Sequence, residues 1–298
     1  MLKNKFNLQL FAETNATTTT DLEPAISIDC VSKLTGNINE LQKVLGITEM
    51  EAMASGTSIK IYKMEQVNTP DQVGEGETIN LTKITRKVDR TIDLVLNKYR
   101  RNTPAEAIQK VGKTIAINRT DEKLVSGVQK DIKKSFFNSL KAGTGSATGT
   151  TLQSTLAATW GAIQNFYEDE DATPIYLIST DDAADYLGTA NITMQQAFGM
   201  TYIADFLGLG TTIVSPNVEK GKIYGTAKEN LHGAFVPANS GDVATTFGLT
   251  SDTTGLVGMT HQPISSNATI DTLVMSGVVF YPELLDGVIV GTISPAGA

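Results

Sequence analysis

Apolar residues recur at helical spacing through the middle of the chain, first at Ile108, Val111 and Ile115, then at Leu124, Val128, Ile132, Phe136 and Leu140. Thr103-Pro104-Ala105-Glu106 gives this stretch a start signal: a Thr to cap, Pro at the first helical position, and Glu three residues after the cap. The first stop is the run Gly143-Thr144-Gly145. The pattern predicts one helix over 103–142, roughly 58 Å long at ~1.5 Å per residue, about twice the span of a small domain.

Upstream the period changes. Residues 1–22, ending in Thr17 to Thr20, read as a flexible arm, and Met1 to Ala12 lacks the apolar run of a signal peptide. Ile38, Leu41, Val44 and Leu45 predict a short amphipathic helix closed by Gly46. From Ser58 the chain alternates, with Ile59 and Ile61 on one face, up to a turn-rich tip at Asn68-Thr69-Pro70-Asp71 and Gly74-Glu75-Gly76-Glu77. A long strand returns. Ile79 and Leu81 share one face, while Ile84, Val88, Ile92, Leu94 and Leu96 take other positions, which predicts a bend or bulge between Leu81 and Ile84. Unbroken from Glu77 to Lys98, that strand would reach about 70 Å. A two-stranded ribbon is marginal in water and exposes its edges, so it needs a cover, and another subunit is the simplest one.

After the Gly/Thr linker at 143–151 the elements shorten. Leu152 to Tyr167 predicts a helix with Leu156, Trp160 and Ile163 inward, and Pro174 to Ile178 a buried strand. Asp181-Asp182 starts a helix running to Leu187. Strands fit Thr211 to Val214, Lys222 to Tyr224, Ala234 to Val236, Thr272 to Tyr281 and Val288 to Ile293. The whole is an α+β chain whose last strands return to the long helix.

Charge adds an asymmetry that the net value of −8 conceals. The balance is −5 over residues 1–82, +9 over 83–141 and −12 over 142–298. The basic middle lacks interleaved aromatics, and an acidic chain repels phosphate at long range. A basic segment of one copy meeting acidic segments of others is therefore the sharper reading. No stretch approaches ~18 uninterrupted apolar residues, so nothing predicts a membrane span.

Candidate chemistry is thin. The single Cys30 rules out an intrachain disulfide and fits folding in a reducing cytoplasm. With only His232 and His261 beside it, classical zinc sites and Cys-His catalysis are not expected. Gly74 to Glu77 lacks the Lys-Ser/Thr of a phosphate loop, and Glu168-Asp169-Glu170-Asp171 lacks calcium-loop spacing. No Gly-x-Ser-x-Gly elbow exists. Nothing predicts an enzyme, a cofactor or a metal.

The order of elements carries a resemblance. With Asn7-Leu8-Gln9-Leu10-Phe11-Ala12 at the start, the tip Val73 to Glu77, and the closing pair Val274 to Val278 and Leu285 to Val288, the chain resembles the major capsid proteins of tailed bacteriophages. That is the Hong Kong ninety-seven fold, and the opening motif is similar to those of phages of Gram-positive bacteria. The resemblance implies an N-terminal arm (1–50), an extended β-hairpin loop (51–102), a peripheral domain with the spine helix (103–151 and 239–298) and an axial α/β domain (152–238). It implies hexamers and pentamers closing into an icosahedral shell around double-stranded DNA, assembled in the bacterial cytoplasm with portal and head-completion proteins. No ~100-residue helical segment precedes the arm, which implies a separate scaffolding protein or an arm that serves unaided. Lys63, Lys83 and Lys87 lie in the loop, but no Asn partner for a covalent cross-link stands out. The expected inter-subunit contacts are Arg86, Lys87, Arg90, Arg100 and Arg101 against acidic residues such as Glu75 and Glu77. The rival readings are a tail-tube subunit or Thr-rich adhesin, both expected to be mostly strand, and a hydrolase on 152–238 gathered around His232.

Overall fold

The computed structural model describes residues 19–47, 50–66, 84–168, 171–188, 194–197, 200–251 and 253–294. Helix α1 (Thr19–Leu45) is longer than the short segment expected and starts inside the threonine run. Val31, Leu34, Ile38, Leu41 and Leu45 recur at three- and four-residue steps and are all buried. This face packs into the largest core cluster, beside α-helical and strand residues from the rest of the chain, so this part of the expected arm is core. Gly46, at φ 77°, ends the helix in a left-handed turn that a Cβ would strain.

Strand β1 (Met50–Ala52) leads to a hairpin of β2 (Ser58–Gln66) and β3 (Ile84–Asp93). The return strand does not run on. It breaks at Leu94, which is buried, and β4 (Asn97–Pro104) then joins a different sheet. Pairing with that sheet holds Thr103 and Pro104 extended, opposite Ile270 and Thr269. Thr103 is therefore a buried strand residue whose hydroxyl donates to Thr120 Oγ1 at 3.0 Å, and Pro104 takes the cap position without a side-chain cap bond.

The long helix is two. α2 (Ala105–Val111) buries nothing, and Gly112, at φ 87° and ψ 152°, separates it from α3 (Lys113–Lys141). That conformation lies outside the helical basin and favours glycine. α3 buries Leu124, Val128, Ile132, Phe136, Phe137 and Leu140. Phe136 meets Phe280 edge to face, with ring centroids 6.3 Å apart.

Beyond α3 come β5 (Gly145–Gly149), α4 (Leu152–Phe166), β6 (Pro174–Ser179), α5 (Thr180–Leu187), β7 (Gln195–Ala197) and β8 (Met200–Ile203). β9 (Thr211–Ser215), β10 (Lys222–Ala227), β11 (Leu231–Phe235) and α6 (Gly241–Phe247) follow. The chain closes with β12 (Thr250–Ser251), β13 (Val257–Ile264), β14 (Thr269–Ser276), β15 (Val279–Pro282) and β16 (Ile289–Ile293).

A seven-stranded mixed sheet has the order β5-β16-β10-β6-β9-β8-β7. It reaches beyond 152–238, because β5 and the last strand β16 form one end of it, although 239–298 were expected in the other domain. β6 reads as a continuous apolar run because both its faces are covered. Tyr176 and Ile178 pack beneath α4 and α5, while Ile175 and Leu177 face the core shared with α1 and α3. The four-stranded sheet β12-β13-β14-β4 and the three-stranded sheet β1-β11-β15 complete the molecule, and α3 packs against β4, β14 and β15. The return of late strands to the helix is thus observed.

Trp160 differs from expectation. It is 41% exposed, and Thr155 and Thr159 take the inner face with Leu152, Leu156 and Ile163. α4 lies so close to β10 and β16 that a Cβ on Gly291 would sit 2.7 Å from Thr159 Oγ1, and one on Gly225 would strike Thr159 Cγ2. Only small side chains fit between helix and sheet there.

Asp121 lies fully buried on α3. It accepts from Thr272 Oγ1 at 3.0 Å and pairs with His261 Nε2 at 2.9 Å, which ties α3 to β13 and β14. A buried carboxylate left without such partners would be strongly destabilising.

Candidate assembly surface

The hairpin has two unlike halves. At its base, Ile61 and Leu94 are buried against Ala234, Val236 and Tyr281, with Ile59 and Ile92 packed alongside. Polar contacts fix the same end. Ser58 Oγ donates to Asp93 at 2.6 Å, and Lys63 forms an ion pair with Asp286. Asp286 also accepts from Thr144 Oγ1 at 2.5 Å. The Lys63 ammonium and then the Thr144 hydroxyl hold the Asp286 carboxyl below its usual range, against a smaller opposing effect of burial.

A bulge sits just above the base. Ile61 faces Arg90 and Tyr62 faces Val88, so Asp89 is the extra residue. The irregularity expected between Leu81 and Ile84 falls partly outside the described residues, and the one observed is further along the strand. Arg90 then reaches inward and donates to the Pro282 carbonyl of its own chain. Desolvation lowers the pKa of its guanidinium, and Asp89 and Tyr281 partly offset this.

Past the bulge Lys63 still reaches Asp286, but the apolar residues of β3 lose their cover. Ile84 is 65% exposed and Val88 45%. The Arg86 guanidinium lies 3.6 Å over the ring of Tyr62, a cation–π contact that stiffens this stretch, and Lys87 is exposed beside it. Glu75, Glu77 and Lys83 lie outside the described residues.

Arg100 and Arg101 do not belong to the hairpin. They stand on β4, where Arg100 Nε donates to Asp271 Oδ2 at 2.6 Å and Arg101 is exposed. Both line an open cleft with Asn102 and Thr120. The five basic residues read as one contact set therefore separate into a distal pair (Arg86, Lys87), an anchor at the base (Arg90) and a strand of another sheet (Arg100, Arg101). The Lys63–Asp286 anchor escaped sequence reasoning because its partners are 223 residues apart and nothing local marks either one.

A groove runs between the hairpin base and the three-stranded sheet, where His232 Nε2 lies 3.1 Å from Glu283. Tyr62, Arg86 and Tyr281 also line it, with no Ser, Thr or Cys among the described lining residues, so within these His232 has an acid but no such nucleophile beside it.

No protein-family model and no curated protein matches this sequence. Solved structures do match. The chain is similar to the capsid of an empty GTA particle, with a TM-score of 0.57 at 10% identity over 86% of this chain and 90% of that one. It is similar to the cyanophage A-1(L) capsid, with a TM-score of 0.55 at 9% identity over 85% and 92%. It is also similar to a structure of Gordonia phage Cozz, with a TM-score of 0.53 at 10% identity over 86% of each chain. The fold is that of tailed-phage capsid proteins, a mixed α+β chain with hairpin and spine helix.

Proposed function

We propose that this chain is a major capsid protein that assembles as hexamers and pentamers into the icosahedral shell of a tailed phage. The observation that carries the reading is the division of the hairpin. Its base is anchored by Ile61, Leu94, Arg90 and Lys63, while Ile84 and Val88 remain exposed on a ribbon with open edges. Anchorage at one end and apolar exposure at the other suit an arm laid over a neighbouring subunit, and the capsid fold supplies the neighbour. Many such contacts, each modest, sum to a robust particle.

Arg86, Lys87 and Arg101 meet acidic surfaces of adjacent copies in this reading, with Glu75 and Glu77 among the acceptors. Exposed pairs contribute about 0–1 kcal/mol each, so they steer register more than they hold the shell. Arg90 and Arg100 serve mainly their own subunit. The role is structural rather than catalytic. The working partners are other copies, a separate scaffolding protein, portal and head-completion proteins, and the packaged duplex, with assembly in the host cytoplasm. The 29-residue α3 counts against a strand-dominated tail-tube subunit or adhesin.

The test is the double variant Ile84→Asp/Val88→Asp, read by particle yield on a density gradient and by thermal melting of the unassembled chain. Loss of particles with an unchanged melting temperature is expected. Normal yields would overturn the reading.

A further inference from the structure

The solvent face of α3 carries a row of cations that neither the core nor the hairpin uses. Arg119, Lys123, Lys130 and Lys134 are all exposed. At 100° per residue they fall within roughly 60° of arc, and they span about 23 Å of helix. Among the described residues none of the four is in an ion pair. Ser126, exposed in the gap between Lys123 and Lys130, is polar. At the N-terminal end, Thr120 borders the cleft that also holds Arg101, which extends the row onto β4. The acids of α3 offset it in part. Asp121 is buried with His261, while Glu122 and Asp131 are exposed, Asp131 bonded to the Tyr99 hydroxyl, and both lie to the side of the four cations.

We infer that this row is a binding site for the phosphate backbone of double-stranded DNA. The chemistry selects this occupant in two ways. The four cations have no exposed aromatic among them and one exposed apolar neighbour, Ile115, a turn before Arg119, so the row offers unpaired bases no platform to stack on and lacks the apolar stripe an amphipathic peptide needs. What it offers is charge along one side of a straight rod, in steps of roughly 6, 11 and 6 Å, facing a stiff polymer of regular charge whose full turn spans about 34 Å. The chain's negative net charge does not forbid this, because at physiological ionic strength fields decay over about 8 Å and the row acts locally. Binding is independent of sequence and falls steeply with salt. The inference goes beyond the shell reading, since it concerns a single chain and stands whether or not shells form.

The test titrates the purified full-length chain into a fluorescent 30-base-pair duplex and follows anisotropy from 50 to 200 mM salt, with sedimentation recording assembly in parallel. Four neutralised phosphates predict an affinity loss of about 100-fold over that range. The variant Arg119→Gln/Lys123→Gln/Lys130→Gln/Lys134→Gln is expected to lose most of the low-salt affinity and flatten the salt slope. Glu122→Gln is expected to tighten binding, and Lys33→Gln/Lys43→Gln, off the row, to change nothing. A quadruple variant that keeps wild-type affinity would overturn the inference. So would preferential binding of single strands, or equal binding of polyglutamate, which would assign the row to an acidic protein segment.

Discussion

Asp286 shows how a single surface pair gives a pH signature. Its carboxyl is held below the ordinary range by Lys63 and Thr144. Its contribution is therefore complete above the unfolded value of about 3.9 and is lost as pH falls through the lower folded value. The pair is about half exposed, so its effect is small. In Asp286→Asn, hydrogen exchange of the β2 and β3 amides should be up to about fivefold faster at pH 6, and the difference from wild type should shrink steadily as pH falls below about 3.9. A difference that stays constant through the acid range would show that the anchor is not electrostatic. Trp160 gives a second residue-level prediction. Trp160→Ala should cost under about 1 kcal/mol in urea unfolding, whereas Leu156→Ala, fully buried, should cost about 2–5 kcal/mol. Sequence periodicity put both inside because Trp160 lies four residues after Leu156 and three before Ile163. The deciding fact, glycines on β10 and β16 that draw the helix too near for a large side chain, exists only once the sheet is formed.

At the scale of elements, local signals were legible where one face of one segment decides the outcome. α4, β6, α5, β9 and β10 follow their apolar patterns closely. The failures come from tertiary pairing. Thr103-Pro104 has the composition of a helix start, yet the ladder to β14 keeps both residues extended. Ile108, Val111 and Ile115 keep helical spacing straight across Gly112, so the break leaves no trace in the pattern, and Ile115 ends up half exposed. Replacing Gly112 with Ala should destabilise the chain by about 1–3 kcal/mol, read as a shift in the urea midpoint at constant slope. α1 invites a paired test of its place in the core. Ile38→Ala, at a site with no solvent exposure, should cost about 2–5 kcal/mol, while Lys33→Ala on the exposed face of the same helix should stay within about 0.5 kcal/mol.

At the scale of the molecule, the sequence conveyed the order of parts and the lack of a core in the ribbon, which together suffice for the fold. It did not convey how the ribbon divides. The alternation of Ile59, Ile61, Ile84 and Val88 looks uniform, but only contact with β11 and β15 shows which apolar residues are already covered. The concentration of basic charge over 83–141 is also legible in sequence, and in the fold it resolves into a distal hairpin pair, an internal anchor, the cations of β4 and the row on α3. A surface so divided, with apolar residues on the hairpin and charge on the helix, suits a protein whose separate surfaces meet different partners.

The central claim is that the distal hairpin completes itself on another copy. Cryo-electron microscopy of the chain expressed with its neighbouring gene products tests this most directly. The account predicts shells, tubes or capsomer rings in which Ile84 and Val88 are buried against an adjacent subunit. A monodisperse monomer under every condition, or particles in which those residues face solvent, would contradict it.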